Sequence, residues 1–160
     1  MNGAIEKKLV AKNKKAYFDY EILETYETGI VLTGPEVKSI KEGRVQLKGS
    51  FASVAKGGRG KPKIVTENFH ISPYRYAQGE APDPLRKRDL LLKKKEIETL
   101  ADFIAREGLT LIPLELYLKK GLIKVLLGVC RGKKKHDKRD TLKQRAVNRE
   151  INQGLKRFTR

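Results

Sequence analysis

"LTLIPLELYLKKGLIKVLLGV", Leu109 to Val129, sets two runs rich in leucine, isoleucine and valine on either side of Lys119, Lys120 and Gly121. Each run has the length and composition of a strand, and a short turn ending in glycine joins them, so the two pair antiparallel. Pro113 cannot donate to a ladder, which places its strand at a sheet edge or gives it a bulge. Upstream, "YFDYEILE" alternates Phe18, Tyr20 and Ile22 with Asp19, Glu21 and Leu23, and "IVLTG" follows after "TYETG". The two read as a hairpin. "GPEVKSIKEG" then predicts a short helix, with Pro35 in its first turn, Glu36 at its positive end and Gly43 as its stop. "VQLKGSFASVA" and "KIVTENFHI" predict two more strands joined by the loop "KGGRGKP", and "SPYRYAQGEAPDP" predicts a loop. Asp83 and Pro84 open a helical region that carries Ile97, Leu100, Ala101 and Ile104 on one face and stops at Gly108.

No strand–helix–strand alternation recurs, so a doubly wound parallel sheet is excluded. The expected fold is mainly β: a small antiparallel, oligonucleotide-binding-type (OB-like) barrel of about six strands with about three external helices. Phe18, Tyr20, Phe51 and Phe69 are expected in its core. The barrel domain is expected over residues 1–130, its first fifteen residues forming a loose arm, and a basic tail over 131–160.

Of the 160 residues, 36 are Lys or Arg and 19 Asp or Glu, a net charge of +17. Residues 131–160 alone hold twelve basic and three acidic side chains. Such a segment repels itself and is relieved by a dense anion, which points to nucleic acid. Within it Leu142, Ala146 or Val147, Ile151, Leu155 and Phe158 recur at helical spacing on an otherwise cationic surface. The tail is therefore expected to be disordered when free and helical against a polyanion.

Other chemistries find little support. "GGRGKPK" lacks the glycine spacing and the Ser or Thr of a phosphate-binding loop. His70, His136 and the single cysteine, Cys130, have no metal-ligand spacing, and no nucleophile with its base is visible, so no enzyme, metal or cofactor is expected. The longest nearly apolar run is ten residues, too short for a bilayer, so no membrane partner is expected. The N-terminus lacks the apolar core of a secretion signal, and a lone cysteine forbids an internal disulfide; both suit a cytoplasmic protein. Basic and aromatic residues mix in "SPYRYAQ", as they do where RNA is bound, and "RKR", Arg86 to Arg88, is expected to be a compact phosphate-binding patch at a helix start.

"YETGIVLTGPEVKSIKEG", "DPLRKRDLLL" and "RGKKKHDKRD", in this order and spacing, resemble the SsrA-binding protein (SmpB) family. The likeness runs from about Asn13 to the C-terminus. It implies an OB-like barrel that binds the tRNA-like domain of transfer-messenger RNA (tmRNA) and, with EF-Tu and GTP, brings it to stalled ribosomes for trans-translation. The tail would enter the small-subunit decoding centre and the empty mRNA channel and become helical there. By position, the resemblance assigns tmRNA recognition to Asn13, Glu27 and Leu91 and phosphate contacts to Arg86, Lys87, Arg88 and Lys124. Without it, Leu91 reads as core and Glu27 as a turn residue. An acidic residue against RNA works as a hydrogen-bond acceptor for a base edge or sugar hydroxyl. The resemblance ties Gly132, Lys133, Lys134, His136, Asp137, Lys138 and Arg139, with Leu155 and Lys156 farther along, to the ribosome. The alternative is another rRNA-binding or ribosome-assembly factor with an OB barrel and a basic extension.

Overall fold

Strand β8 (Thr110–Lys119) is the hub of the molecule. Its apolar residues point alternately into the barrel and outward, and β9 (Leu122–Gly132) returns along it from Thr110↔Cys130 to Lys119↔Leu122. Lys120 and Gly121 both have positive φ, 51° and 74°, the backbone of the tightest hairpin turns. The ladder shifts register between Pro113 and Glu115, so the proline sits at a bulge and the strand is not an edge. The computed structural model describes residues 6–158, and within the last helix the side chains of 135–137 and 156–158 lie outside that description.

Besides β8 and β9, the main sheet contains β1 (Lys7–Lys12), β2 (Tyr20–Ile30), β4 (Phe51–Lys56), β5 (Pro62–Glu67) and β7 (Asp89–Leu91). The strands follow the order β8-β4-β5-β7-β2-β9 and return to β8, closing an antiparallel barrel of six strands. β1 adds to the edge of β8 beyond β4. β3 (Val45–Gln46) and β6 (His70–Ile71) form a small separate ladder. Helices α1 (Lys14–Asp19), α2 (Gly34–Lys41) and α3 (Lys94–Glu107) lie outside the barrel, and α4 (Lys135–Phe158) follows β9, so the tail expected to be disordered until it meets a polyanion is already helical in the chain on its own.

Ile64, Phe69, Leu90, Leu100, Leu111, Leu116, Val125, Leu127 and Val129 belong to the buried cluster inside the barrel and beneath α3. A second cluster, Ala16, Ile112, Leu114 and Cys130, lies on the outer face under α1. α2 starts with a capping box: the Glu36 amide donates to Thr33 Oγ1 and the Thr33 amide to Glu36 Oε1. α3 ends at Gly108 in the left-handed conformation, φ 62°.

Several expectations are corrected. The first fifteen residues are not a loose arm throughout: residues 7–12 pair with β8, a partner more than a hundred residues away that local sequence does not reveal. "YFDYEILE" and "IVLTG" are not a hairpin. Lys14–Asp19 is helical, and β2 runs without a turn through "TYETG", with a bulge between Ile22 and Glu24 that spoils the alternation. "VQLKGSFASVA" breaks at Gly49, φ 78°, and "KIVTENFHI" at Asn68, φ 52°. Residues 84–92 form a turn and β7, and the helix begins only at Lys94. Of the four aromatics placed in the core, Phe69 is fully buried, whereas Phe51 is 38% exposed and Phe18 lies under the Arg145 guanidinium.

Candidate nucleic-acid interface

In-register pairing carries a single row of residues across the outside of the barrel. Tyr117 on β8 faces Lys124 on β9, Lys124 faces Gly29 on β2, and Gly29 faces Leu91 on β7. Directly opposed residues in antiparallel strands share a face and neighbouring strands lie ~4.8 Å apart, so the row spans roughly 14 Å. Glu27 is two residues from Gly29 on β2 and hence on the same face, while Thr28 between them is buried. Gly29 sits under Leu91: a Cβ there would lie 3.2 Å from Leu91 Cβ. Leu91 is 58% exposed, not core, and with Ile30, Leu32, Val37 and Leu122 it lines a shallow apolar groove beside Lys124.

Glu27 is held firmly. The Tyr117 hydroxyl donates to Oε2 at 2.5 Å, and the Lys119 ammonium reaches both carboxylate oxygens at 3.1 Å. The Tyr117 hydrogen bond, then that from Lys119, lowers the Glu27 pKa, so the group is an anion and a pure acceptor. Burial, then Glu27 itself, raises the pKa of Tyr117, which keeps its proton and donates. The Lys7 ammonium lies 4.4 Å from the centroid of the Tyr117 ring. The face therefore offers one fixed acceptor, one apolar patch and cations for phosphates, a combination suited to a structured RNA.

The basic run 86–88 is not an open phosphate patch, and it does not stand at a helix start. The Arg88 side chain is fully buried; its Nε bonds Glu36 Oε2, and its Nη1 and Nη2 donate to the carbonyls of Phe69 at 2.7 Å and Pro84 at 3.1 Å. Arg86 donates to Glu36 Oε1 from Nε at 3.2 Å and also from Nη2. Burial of Glu36 works to raise its pKa, but the bonds from Arg86, the Thr33 amide and Arg88 outweigh it and lower the value. Only Lys87 projects well into solvent, with Glu67 Oε1 3.0 Å from its ammonium. Asn13 is also buried: its Nδ2 donates to the carbonyls of Leu47 and Pro113 at 3.2 and 3.1 Å, and its Oδ1 accepts the Ala16 amide as the cap of α1. Asn13, assigned to tmRNA recognition, and Arg88, assigned to a phosphate, thus have their polar side-chain atoms engaged inside the protein.

The tail leaves the barrel later than residue 130, because Arg131 and Gly132 still pair with Glu21 and Tyr20. The Lys133 amide donates to the Asp19 carbonyl at 3.0 Å, its ammonium to Thr141 Oγ1 at 3.1 Å, and Lys138 pairs with Asp19 at 3.4 Å. Lys134 and Arg139 are exposed. Beyond this root Leu142, Val147, Ile151 and Leu155 lie with about half their surface in solvent, an apolar stripe along a cationic helix. The side chains of His136, Asp137 and Lys156 lie outside the described residues. Among the described residues no group of His, Cys, Asp or Glu could hold a metal ion, and no helix is long and apolar enough to cross a membrane.

The model of the SmpB protein family matches residues 10–157. The chain belongs to the SmpB family. It is 52% identical to the SsrA-binding protein of Geobacillus sp. (strain WCH70) over 151 residues, 94% of each chain. With that of Clostridium perfringens (strain 13 / Type A) it shares 49% identity over 97% of this chain and 96% of the relative. It is also similar to a solved chain, described under "tmRNA-SmpB: a journey to the center of the bacterial ribosome", at TM-score 0.63 and 47% identity, covering 78% of this chain and 85% of that one. Family membership fits a closed barrel with a cationic extension. Tyr117, however, was missed in the sequence, because an aromatic residue in an alternating strand reads as core.

Proposed function

We propose that this protein binds the tRNA-like domain of tmRNA with the outer face of its barrel and delivers it to stalled ribosomes for trans-translation. The observation that carries the reading is the co-facial set Glu27, Leu91 and Lys124, brought together from three strands of a barrel whose family relatives are SsrA-binding proteins. Glu27 accepts a hydrogen bond from a base edge or a ribose hydroxyl, Leu91 packs on a sugar or base, and Lys124 and Lys87 neutralise phosphates. Asn13, Arg86 and Arg88 serve the same face indirectly by fixing α1, α2 and the turn before β7.

The tail acts separately. Its helix has little of the barrel to pack on past its first turns, and an isolated cationic helix is marginal in water. Its exposed stripe and cations suit a cavity walled by RNA, and it is helical when it occupies the decoding centre and the empty mRNA channel. Gly132, Lys133, Lys134, His136, Asp137, Lys138, Arg139, Leu155 and Lys156 make that contact. Delivery occurs with EF-Tu and GTP, in the cytoplasm. The test is a competition of the tRNA-like domain of tmRNA against tRNA and rRNA fragments at several salt concentrations. Preference for the tRNA-like domain at every salt supports the reading. Equal affinity for the rRNA fragments would favour a ribosome-assembly factor.

A further inference from the structure

Tyr117 has a place in the outer row that core packing alone does not explain. Its ring is 1% exposed, yet its hydroxyl points onto the carboxylate of a residue on another strand. We propose that Tyr117 is a positioning residue that fixes the Glu27 carboxylate as a preformed acceptor for RNA, an inference that rests on the function proposed above. A glutamate on an open strand face samples several rotamers, and an anion beside lysines folds onto whichever ammonium is nearest. Here a buried tyrosine, its ring between the sheet and the Lys7 ammonium, takes Oε2, while Lys119 bridges both oxygens. Among the described residues Oε1 then has only Lys119 as donor and keeps acceptor capacity for a base N–H or a ribose 2′-hydroxyl. Lys7 and Lys119 lie beside the Glu27 carboxylate and Lys124 stands in the neighbouring row, so the face keeps cations for phosphates while it displays an acceptor, with Glu115 as a second carboxylate two residues from Tyr117. Strand β1, which supplies Lys7, thereby becomes part of the RNA site.

The test is a double-mutant cycle in the full-length protein, with the isolated tRNA-like domain of tmRNA as the probe. Dissociation constants are measured for wild type, Tyr117→Phe, Glu27→Ala and the double variant. The hydroxyl is expected to matter only through Glu27: Tyr117→Phe weakens binding about tenfold in the wild-type background and less than twofold in the Glu27→Ala background. An equal loss in both backgrounds, as general loosening of the barrel would give, overturns the proposal, and so does wild-type affinity for Tyr117→Phe. Thermal unfolding of each variant is recorded alongside, and Lys119→Met, which removes the second donor without touching the buried ring, is expected to couple to Glu27 in the same sense. If Glu27→Ala alone binds as tightly as wild type, the acceptor role of Glu27 falls, and that result is distinct from a failed coupling.

Discussion

Arg88, just before β7, and Glu36, on α2, form a buried ion pair. Glu36→Ala would leave a buried guanidinium without its anion, at a cost of about 3–5 kcal/mol, to be read from urea unfolding. Because Glu36 titrates below an ordinary carboxyl in the folded protein, its contribution is fully present above the unfolded pKa and is lost as pH falls through the folded one. The acid limb of the stability curve should therefore be shallower in Glu36→Gln than in wild type, which acid titration followed by circular dichroism checks. Gly128 is constrained by space: a Cβ would meet Leu114 Cδ1 at 2.6 Å and Cys130 Sγ at 3.1 Å. Gly128→Ala is expected to destabilise by about 1–3 kcal/mol in thermal unfolding. At this scale the sequence was hardest to read. Three consecutive basic residues look like a phosphate patch, and only the fold reveals that the anion balancing two of them lies about fifty residues away. Glu27, Leu91 and Lys124 could be named only through family resemblance, since no spacing in the chain marks them as neighbours.

Among the elements, those carrying their own signals were legible. The β8–β9 hairpin, α2, and the apolar stripe and terminal glycine of α3 stand where the residues indicated, although α3 starts only at Lys94. Of the elements misread, β1, α1 and β7 are short and owe their form to partners far along the chain, while β2 is long and hides its continuity behind a bulge. α1 is six residues long and depends on Asn13, whose side chain caps it and ties it to Leu47 and Pro113. Asn13→Ala strands two carbonyls and removes a cap, with an expected loss of about 1–3 kcal/mol in chemical unfolding. Any accompanying loss of RNA affinity should be recovered at low temperature, where the fold is restored. In α4, Gly154 weakens the helix by ~1 kcal/mol relative to alanine. Gly154→Ala should raise the helix content of the free tail, measured by circular dichroism of the full protein against a tail-less control.

On the scale of the whole molecule, the barrel carries the outer row of Tyr117, Lys124, Gly29 and Leu91, and a cationic helix leaves where β9 ends. β9 carries both: Lys124 stands near its start in the outer row, and Gly132 closes it beside Tyr20, where the tail begins. The uneven charge was visible in the sequence, as was a mainly β, antiparallel barrel; the expected number of strands was met although the set differed, since two predicted strands are the single β2 and β7 lay in a stretch read as helix. What closes the barrel, β8 pairing with both β4 and β9, is a non-local property that no local pattern encodes. The logarithm of RNA affinity is expected to fall linearly with the logarithm of salt concentration, since several phosphates are neutralised together, and titrations at three or more salts give that slope.

The division of labour between barrel and tail is tested most directly by truncating the chain after Gly132, where β9 ends, and measuring its affinity for the tRNA-like domain of tmRNA together with tagging of stalled chains. The expected result is affinity within a few-fold of the full-length protein and no tagging. Loss of affinity as large as that of Glu27→Ala, or tagging that survives the truncation, would contradict it.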